Sequence, residues 1–370
     1  MIADFRAVQR LIWILVLSIA WLQTAFAQGF AGLGRDEEGF LPVLPGKEFS
    51  FPTDHGPHDG HRIEWWYLTA NLQDVETNEA IGVQWTLFRS GLGPPSDNLS
   101  EETTAGQVSI WSADYLFMAH AAVTTSKGHY SAEKFARDGV GQAGVSAAPF
   151  SAYIDDWVFE AREGADLLSD TRLRAYGQDF GYDLTLAANG PLVLQGEEGF
   201  SIKSPEGQAS YYYSQPFFSV RGEVEIDGVV RQVKGRAWMD REWSSKLLAE
   251  TQSGWDWFSL HFEDGQKAML FRLRDRVNGD FFAGTWIAAD GKSTSLKASQ
   301  ISIDPLRTKS VEGRKVPLDW RVAIDGRGVD LRTKPLNDNS WMATSFPYWE
   351  GPIRFEGSHA GVGYLEMTGY

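Results

Sequence analysis

Residues 81–88 read IGVQWTLF, and residues 254–262 read GWDWFSLHF. In the first stretch Ile81, Val83, Trp85 and Leu87 fall on one side of an extended chain. In the second, Trp255, Trp257, Ser259 and His261 fall on one side, and Asp256, Phe258, Leu260 and Phe262 on the other. Alternation of this kind marks a half-buried β-strand, because successive side chains leave opposite faces of a sheet. It runs along most of the chain. Turn pairs punctuate it at Glu163-Gly164, Asn189-Gly190, Asp227-Gly228, Asp264-Gly265, Asn278-Gly279, Asp290-Gly291 and Asp325-Gly326. An acidic or amide residue before Gly is hairpin chemistry, since both positions tolerate positive φ. Only Arg241 to Gln252 hints at helical spacing. The expected fold is therefore all-β, built of antiparallel barrels or sandwiches.

A chain of 370 residues is long for one such barrel. The segment SSKLLAETQSG, residues 244–254, interrupts the alternation before Trp255 restarts it. This divides the chain into a first β domain over 46–245 and a second over 250–370. Residues 28–45 read as an extended leader. Ahead of them Arg6 and Arg10 precede an apolar run from Leu11 to Leu22, followed by Ala25-Phe26-Ala27. This is the pattern of a secretory signal over 1–27, with a mature chain starting at Gln28. The alternative is a membrane anchor, for which the run is short, since a spanning helix needs roughly 20 residues. The expectation is an exported, periplasmic protein with no stable membrane span after signal removal. The chain has no cysteine, so disulfides, a thiol nucleophile and a thiolate metal site are all excluded. A formal charge of −15 disfavours nucleic acid as a partner but leaves a neutral, greasy ligand open. The 15 tryptophans suit large sheets and also apolar or sugar-binding pockets.

Three segments carry candidate chemistry. Residues 54–72 read DHGPHDGHRIEWWYLTANL, with His55, His58, His61 and then Glu64 at intervals of three. Gly56, Pro57 and Gly60 make this a loop rather than a helix face. It could gather zinc, or it could be a solvated rim whose histidines bind backbone groups, and the distant half of a metal spacing is missing. Glu64 then sits among Trp65, Trp66 and Tyr67, where burial raises a carboxyl unless a cation such as Arg62 or a histidine pairs with it. That describes either a tuned acid or a structural ion pair. In residues 235–244, GRAWMDREWS, a strand would turn Trp238, Asp240 and Glu242 one way and Arg241 the other. Two carboxylates about 7 Å apart on one face suit acid–base work. A charge pair with Arg236 is the plainer alternative. His120 and His261 read as hydrogen-bonded strand residues, although His261 shares a face with two tryptophans and could line a pocket. Ser109 and Ser259 have no identifiable base, and no phosphate loop or nucleophile elbow is present.

The segment over 54–72 is followed in order by FMAHAAVT (117–124), RAWMDREWSS (236–245), GWDWFSLHFEDG (254–265) and FPYWEGPIRFEGSHAGVGYLEMTGY (346–370). Together these resemble the lipocalin-like family of AttH proteins and carotenoid 1,2-hydratases (hydroxyneurosporene synthases), often labelled secreted hydrolases. The resemblance implies two tandem lipocalin-like β-barrels, no cofactor, and a possible ABC transporter permease as partner in envelope lipid traffic. In the hydratase branch water adds across a terminal isoprenoid double bond. The resemblance carries the proton donor onto Asp240, with Trp238 beside it. Where that branch has His-x-Trp, this chain has Tyr211-Tyr212-Tyr213, which brings it closer to the AttH-like branch. The leading expectation is a carrier of a hydrophobic small molecule, a lipid or isoprenoid. Its pocket would be lined by Trp66, Tyr67, Trp238, Tyr213, Trp255, Trp257 and His261. The alternative is an enzyme, a hydratase or a secreted hydrolase, using Asp240, Glu64 and His55. A third possibility is an envelope scaffold docking on a transporter.

Overall fold

A computed structural model describes residues 38–94, 113–162 and 168–370. The signal segment 1–27, leader residues 28–37, Ser109 and the Glu163-Gly164 turn lie outside these residues. The described chain is β-structure apart from two short 3-10 turns, Thr53–His55 and Ala298–Gln300.

Thirteen strands form the first sheet. It opens with β1 (Ile63–Asp74), β2 (Ala80–Gly91), β3 (Tyr115–Thr125) and β4 (His129–Arg137). Short strands follow: β5 (Ala143–Ala147), β6 (Phe150–Ile154), β7 (Trp157–Ala161), β8 (Thr171–Tyr176) and β9 (Phe180–Ala188). β10 (Val193–Leu194) and β11 (Phe200–Ile202) lead into the long hairpin of β12 (Ala209–Ile226) and β13 (Val229–Ser244). The second sheet has ten strands, beginning with β14 (Gln252–Phe262), β15 (Lys267–Asp275), β16 (Phe281–Ile287) and β17 (Ser293–Leu296). It continues through β18 (Ile301–Val311), β19 (Arg314–Ile324) and β20 (Val329–Pro335), and ends with β21 (Trp341–Met342), β22 (Tyr348–Gly357) and β23 (Gly361–Met367).

All pairings are antiparallel, and each sheet curls into a lipocalin-like barrel. β1 lies between β2 and β13, and β14 lies between β15 and β23. The helical hint at 241–252 does not survive. Pairing of β13 with β1 and β12 carries Arg241 to Ser244 into the sheet, and 245–251 form an irregular link. Leu247, Leu248 and Ala249 in that link are buried, so burial between the sheets sets its conformation, over local preference.

The alternation in the sequence sorts side chains as expected, but both faces of the central strands are covered. Ile81, Val83, Trp85 and Leu87 fill the first barrel together with Trp66, Leu68, Met239 and Trp243. Phe258, Leu260 and Phe262 fill the second, with Trp320, Trp349 and Leu365. The opposite faces form a third apolar cluster between the barrels, including Tyr67, Tyr212, Trp238, Trp257 and Phe271. Fully burying side chains of this size stabilises by about 1.5–3 kcal/mol each, so this seam is a core in its own right. The two barrels approach closely at Gly82 of β2, where a Cβ would lie 2.5 Å from Pro352 Cγ of β22.

A candidate active site between the barrels

The barrel interiors are packed, and the cavity of interest lies between them. It has a volume of about 300 Å³. The first sheet contributes Trp65, Tyr67, Phe88, Met118, Tyr212 and Asp240 to its wall, and the second contributes Trp255, Trp257, Phe271, Tyr348 and Glu366. At its mouth Leu92 is 62% exposed and Phe135 is 44% exposed, so the apolar lining reaches solvent.

Asp240 is placed by strand pairing. Trp238, Asp240 and Glu242 leave the outer face of β13, and Ser214 and Tyr212 of β12 stand opposite Asp240 and Glu242. The carboxylate Oδ1 accepts from Ser214 Oγ at 2.5 Å and from Trp238 Nε1 at 2.6 Å. Among the described residues, Oδ2 accepts only from Tyr212 Oη, at 2.6 Å. Tyr212 Oη in turn accepts from Trp257 Nε1 at 3.2 Å. Ion pairing with Arg236, anticipated from the sequence, is absent; Arg236 is exposed elsewhere. Burial pushes the Asp240 carboxyl up to about 7, against the pull of its three donors and with a further push from the Glu242 charge.

Two more buried acids stand beside it. Glu366 of β23 accepts from Trp255 Nε1 at 2.5 Å, and burial, aided by the charges of Asp240 and Glu242, pushes it up to about 7. Glu350 of β22 accepts from Tyr67 Oη at 2.5 Å and is raised well above the usual carboxylate range by burial and by Glu366. Glu242 alone has a cation, Lys203 Nζ at 2.7 Å. Thus three acids in one apolar seam hold protons near neutral pH, the condition for proton donation. Sequence reasoning missed Glu350 and Glu366. Both lie in strands beside aromatic or apolar neighbours, PYWEG and YLEM, so the criterion that flagged Glu64 would have found them.

The remaining candidates separate. Glu64 and Trp66 leave the opposite face of β1 and enter the first barrel. Burial alone would raise the Glu64 carboxyl, but Arg241, His58 and Arg89 hold it well below the carboxylate range. Arg241 bonds Glu64 directly, and its guanidinium lies 3.8 Å from the Trp66 ring centre. Glu64 sits in an ion-pair cluster with Arg241 and Arg89, and a histidine, His58, stands beside it at 3.3 Å as the sequence allowed, whereas Arg62 binds the Ser245 carbonyl. His55 Nδ1 lies 2.6 Å from Tyr213 Oη in the same barrel, and burial, then Arg241, lowers the imidazole to about 4. His58 stacks on Trp243 at 3.7 Å and contacts Asp54, while His61 faces Tyr211. His58 also reaches Glu64 at 3.3 Å and meets His61 edge-on at 6.4 Å, and no three of the described His, Asp and Glu side chains converge as a metal-binding group. Trp66 and Tyr213 are core residues of the first barrel. Tyr67, Trp255 and Trp257 line the cavity, with Trp238 just behind Asp240. His261 packs edge-on to Trp238 at 5.6 Å, uncharged through burial beside Lys267 and Arg236. His120 is the hydrogen-bonded strand residue expected, contacting Tyr348 and Glu133 at 3.0 Å each, and it also reaches the cavity wall.

Residues 42–370 match the family described as AttH-like. Among solved structures the chain is similar to an AttH protein from Nitrosomonas europaea, at 33% identity and a TM-score of 0.77, covering 90% of this chain and all of that one. It also shares its fold with kievitone hydratase from Nectria haematococca, at 18% identity and a TM-score of 0.65, covering 90% of this chain and 96% of that one. No curated protein matches.

Proposed function

Taking as premise that the chain belongs to the AttH-like family, we propose that the seam cavity binds an apolar molecule with a carbon–carbon double bond and that Asp240 catalyses its hydration. The observation that carries this reading is a buried, cation-free carboxyl held near 7 on a greasy wall. Oδ2 takes one hydrogen bond and Oδ1 two, so Oδ2 has the free lone pair for a proton. In the reaction the Asp240 proton passes to one alkene carbon. The adjacent carbon becomes cationic, facing the rings of Tyr212, Trp255 and Trp257, whose π-faces favour positive charge. A water molecule adds there, and its surplus proton returns to the carboxylate, restoring the acid. The kievitone hydratase likeness adds only that a hydratase exists on this two-barrel frame. A carrier is the second reading, favoured by the mostly apolar lining and by the three donors on Asp240, which a purely structural acid would also hold. Export to the periplasm and a transporter partner belong to the same proposal.

Asp240→Asn separates the two readings. An Asn keeps the volume but cannot deliver a proton. With a terminal-alkene isoprenoid as probe, the hydratase should bind as before while turnover falls at least 10²-fold, the typical contribution of a general acid. Wild-type turnover should also decline above about pH 7 as Asp240 ionises. Undiminished binding with no product from either form would leave the carrier.

A further inference from the structure

A second cavity, of about 750 Å³, opens between the barrels where β1, β12 and β13 face β20, β22 and β23. Among the described residues it shares no lining with the acid-floored one. Four cations border it, Lys234, Arg236, Lys334 and Arg354, and no carboxylate does. The chain as a whole has 49 acidic residues against 34 basic, so this composition opposes the average surface. All four side chains are exposed, and none forms an ion pair with a described carboxylate. Their placement is also unfavourable on its own. Lys334 and Arg354 stand directly opposite each other on β20 and β22, and Lys234 stands opposite Arg221 on β12. Like charges directly across a strand pair destabilise a sheet. Beside these cations Leu336, Pro352 and Val362 supply an apolar part of the lining, and Val220 of the first barrel's core backs it.

We infer that this second cavity is a binding site for an anionic amphiphile, a single acyl chain bearing a phosphate or carboxylate head. The head would neutralise the opposed cations, as paired charge-assisted hydrogen bonds do for anions generally, and the chain would occupy the apolar wall. The volume lies within the roughly 300–1,000 Å³ span of small-molecule sites. The site is independent of the Asp240 chemistry.

The test uses the purified protein with an oleoyl glycerol phosphate below its micelle concentration, followed by calorimetry and native mass spectrometry. Monooleoylglycerol, glycerol phosphate and vesicles of phosphatidylglycerol serve as comparison probes. The phosphate amphiphile should bind one to one, at least 10-fold tighter than either the neutral lipid or the chainless phosphate. The double variant Lys334→Gln/Arg354→Gln should weaken it at least 10-fold, and Leu336→Trp, which fills the apolar part and leaves the charge, should do the same. Asp240→Asn should leave it unchanged. The double variant should melt no lower than wild type, since it relieves repulsion, so loss of binding is separable from loss of fold. The inference is overturned if the amphiphile does not bind or if the double variant binds as well as wild type. It fails equally if the neutral lipid or glycerol phosphate matches the amphiphile, or if only vesicles bind.

Discussion

Arg241 shows how one side chain can carry a large share of local stability without touching a ligand. It is fully buried, bonded to Glu64 and to the Gly56 carbonyl, and lies flat on Trp66. Removing it would leave the Glu64 carboxylate in the first barrel with only Arg89 and His58. Breaking a buried pair from one side typically costs about 3–5 kcal/mol. Arg241→Met should therefore lower the urea midpoint sharply, and adding Glu64→Gln should restore much of the loss, a coupling that a double-mutant cycle measures directly. The sequence showed that Arg241 and Asp240 diverge, since neighbours on a strand must. It could not show which charge awaited Arg241 across β1, because register is fixed by tertiary pairing. Glu64 was flagged for the right reason, an acid among indoles, and its answer came from a residue 177 positions away.

At the scale of strands, the alternating pattern was legible and the destination of each face was not. The aromatic face of β14, with Trp255 and Trp257, looks into the seam rather than into a barrel lumen. An all-β reading follows from period two alone, but a strand covered on both sides looks the same as one curled around a ligand. The packing of β2 of the first barrel against β22 of the second depends on the missing side chain of Gly82, whose Cβ would strike Pro352 and the Tyr364 hydroxyl. Gly82→Val should force the strands apart at this point. A destabilisation of about 1–3 kcal/mol, usual for overpacking, is expected in chemical denaturation, with loss of ligand capture in the acid-floored cavity as the barrels shift.

At the scale of the whole molecule, buried titratable groups work against each other. Asp240 and Glu366 have folded-state values near 7, so the folded form binds more protons than the unfolded between about pH 4 and 7, and they make stability fall as pH rises through that window. His55, His61 and His129, lowered by burial to about 4, bind fewer protons when folded and make stability rise over about pH 4 to 6.5. Asp54, brought down to about 2 by His58, Ser50 and Lys47 despite burial, and Glu64 add stability that is lost only below about pH 4. The expected profile is shallow between pH 4 and 7 and steep below. Asp240→Asn with Glu366→Gln removes two of the raised acids and leaves Glu350, so the urea midpoint of that variant should climb from pH 4 to 6.5, where wild type stays nearly level. The curled all-β barrels were legible from the strand alternation. The shared seam was not, because it is assembled from strands at opposite ends of the sequence.

That distance has a consequence for biogenesis. Tyr67 and its partner Glu350 are 283 residues apart. A first barrel that closed before the second was made would present Tyr67, Tyr212 and Trp238 as an uncovered oily flank. Unfinished chains with such surfaces aggregate. Keeping the first half unfolded until the second emerges would avoid that exposure.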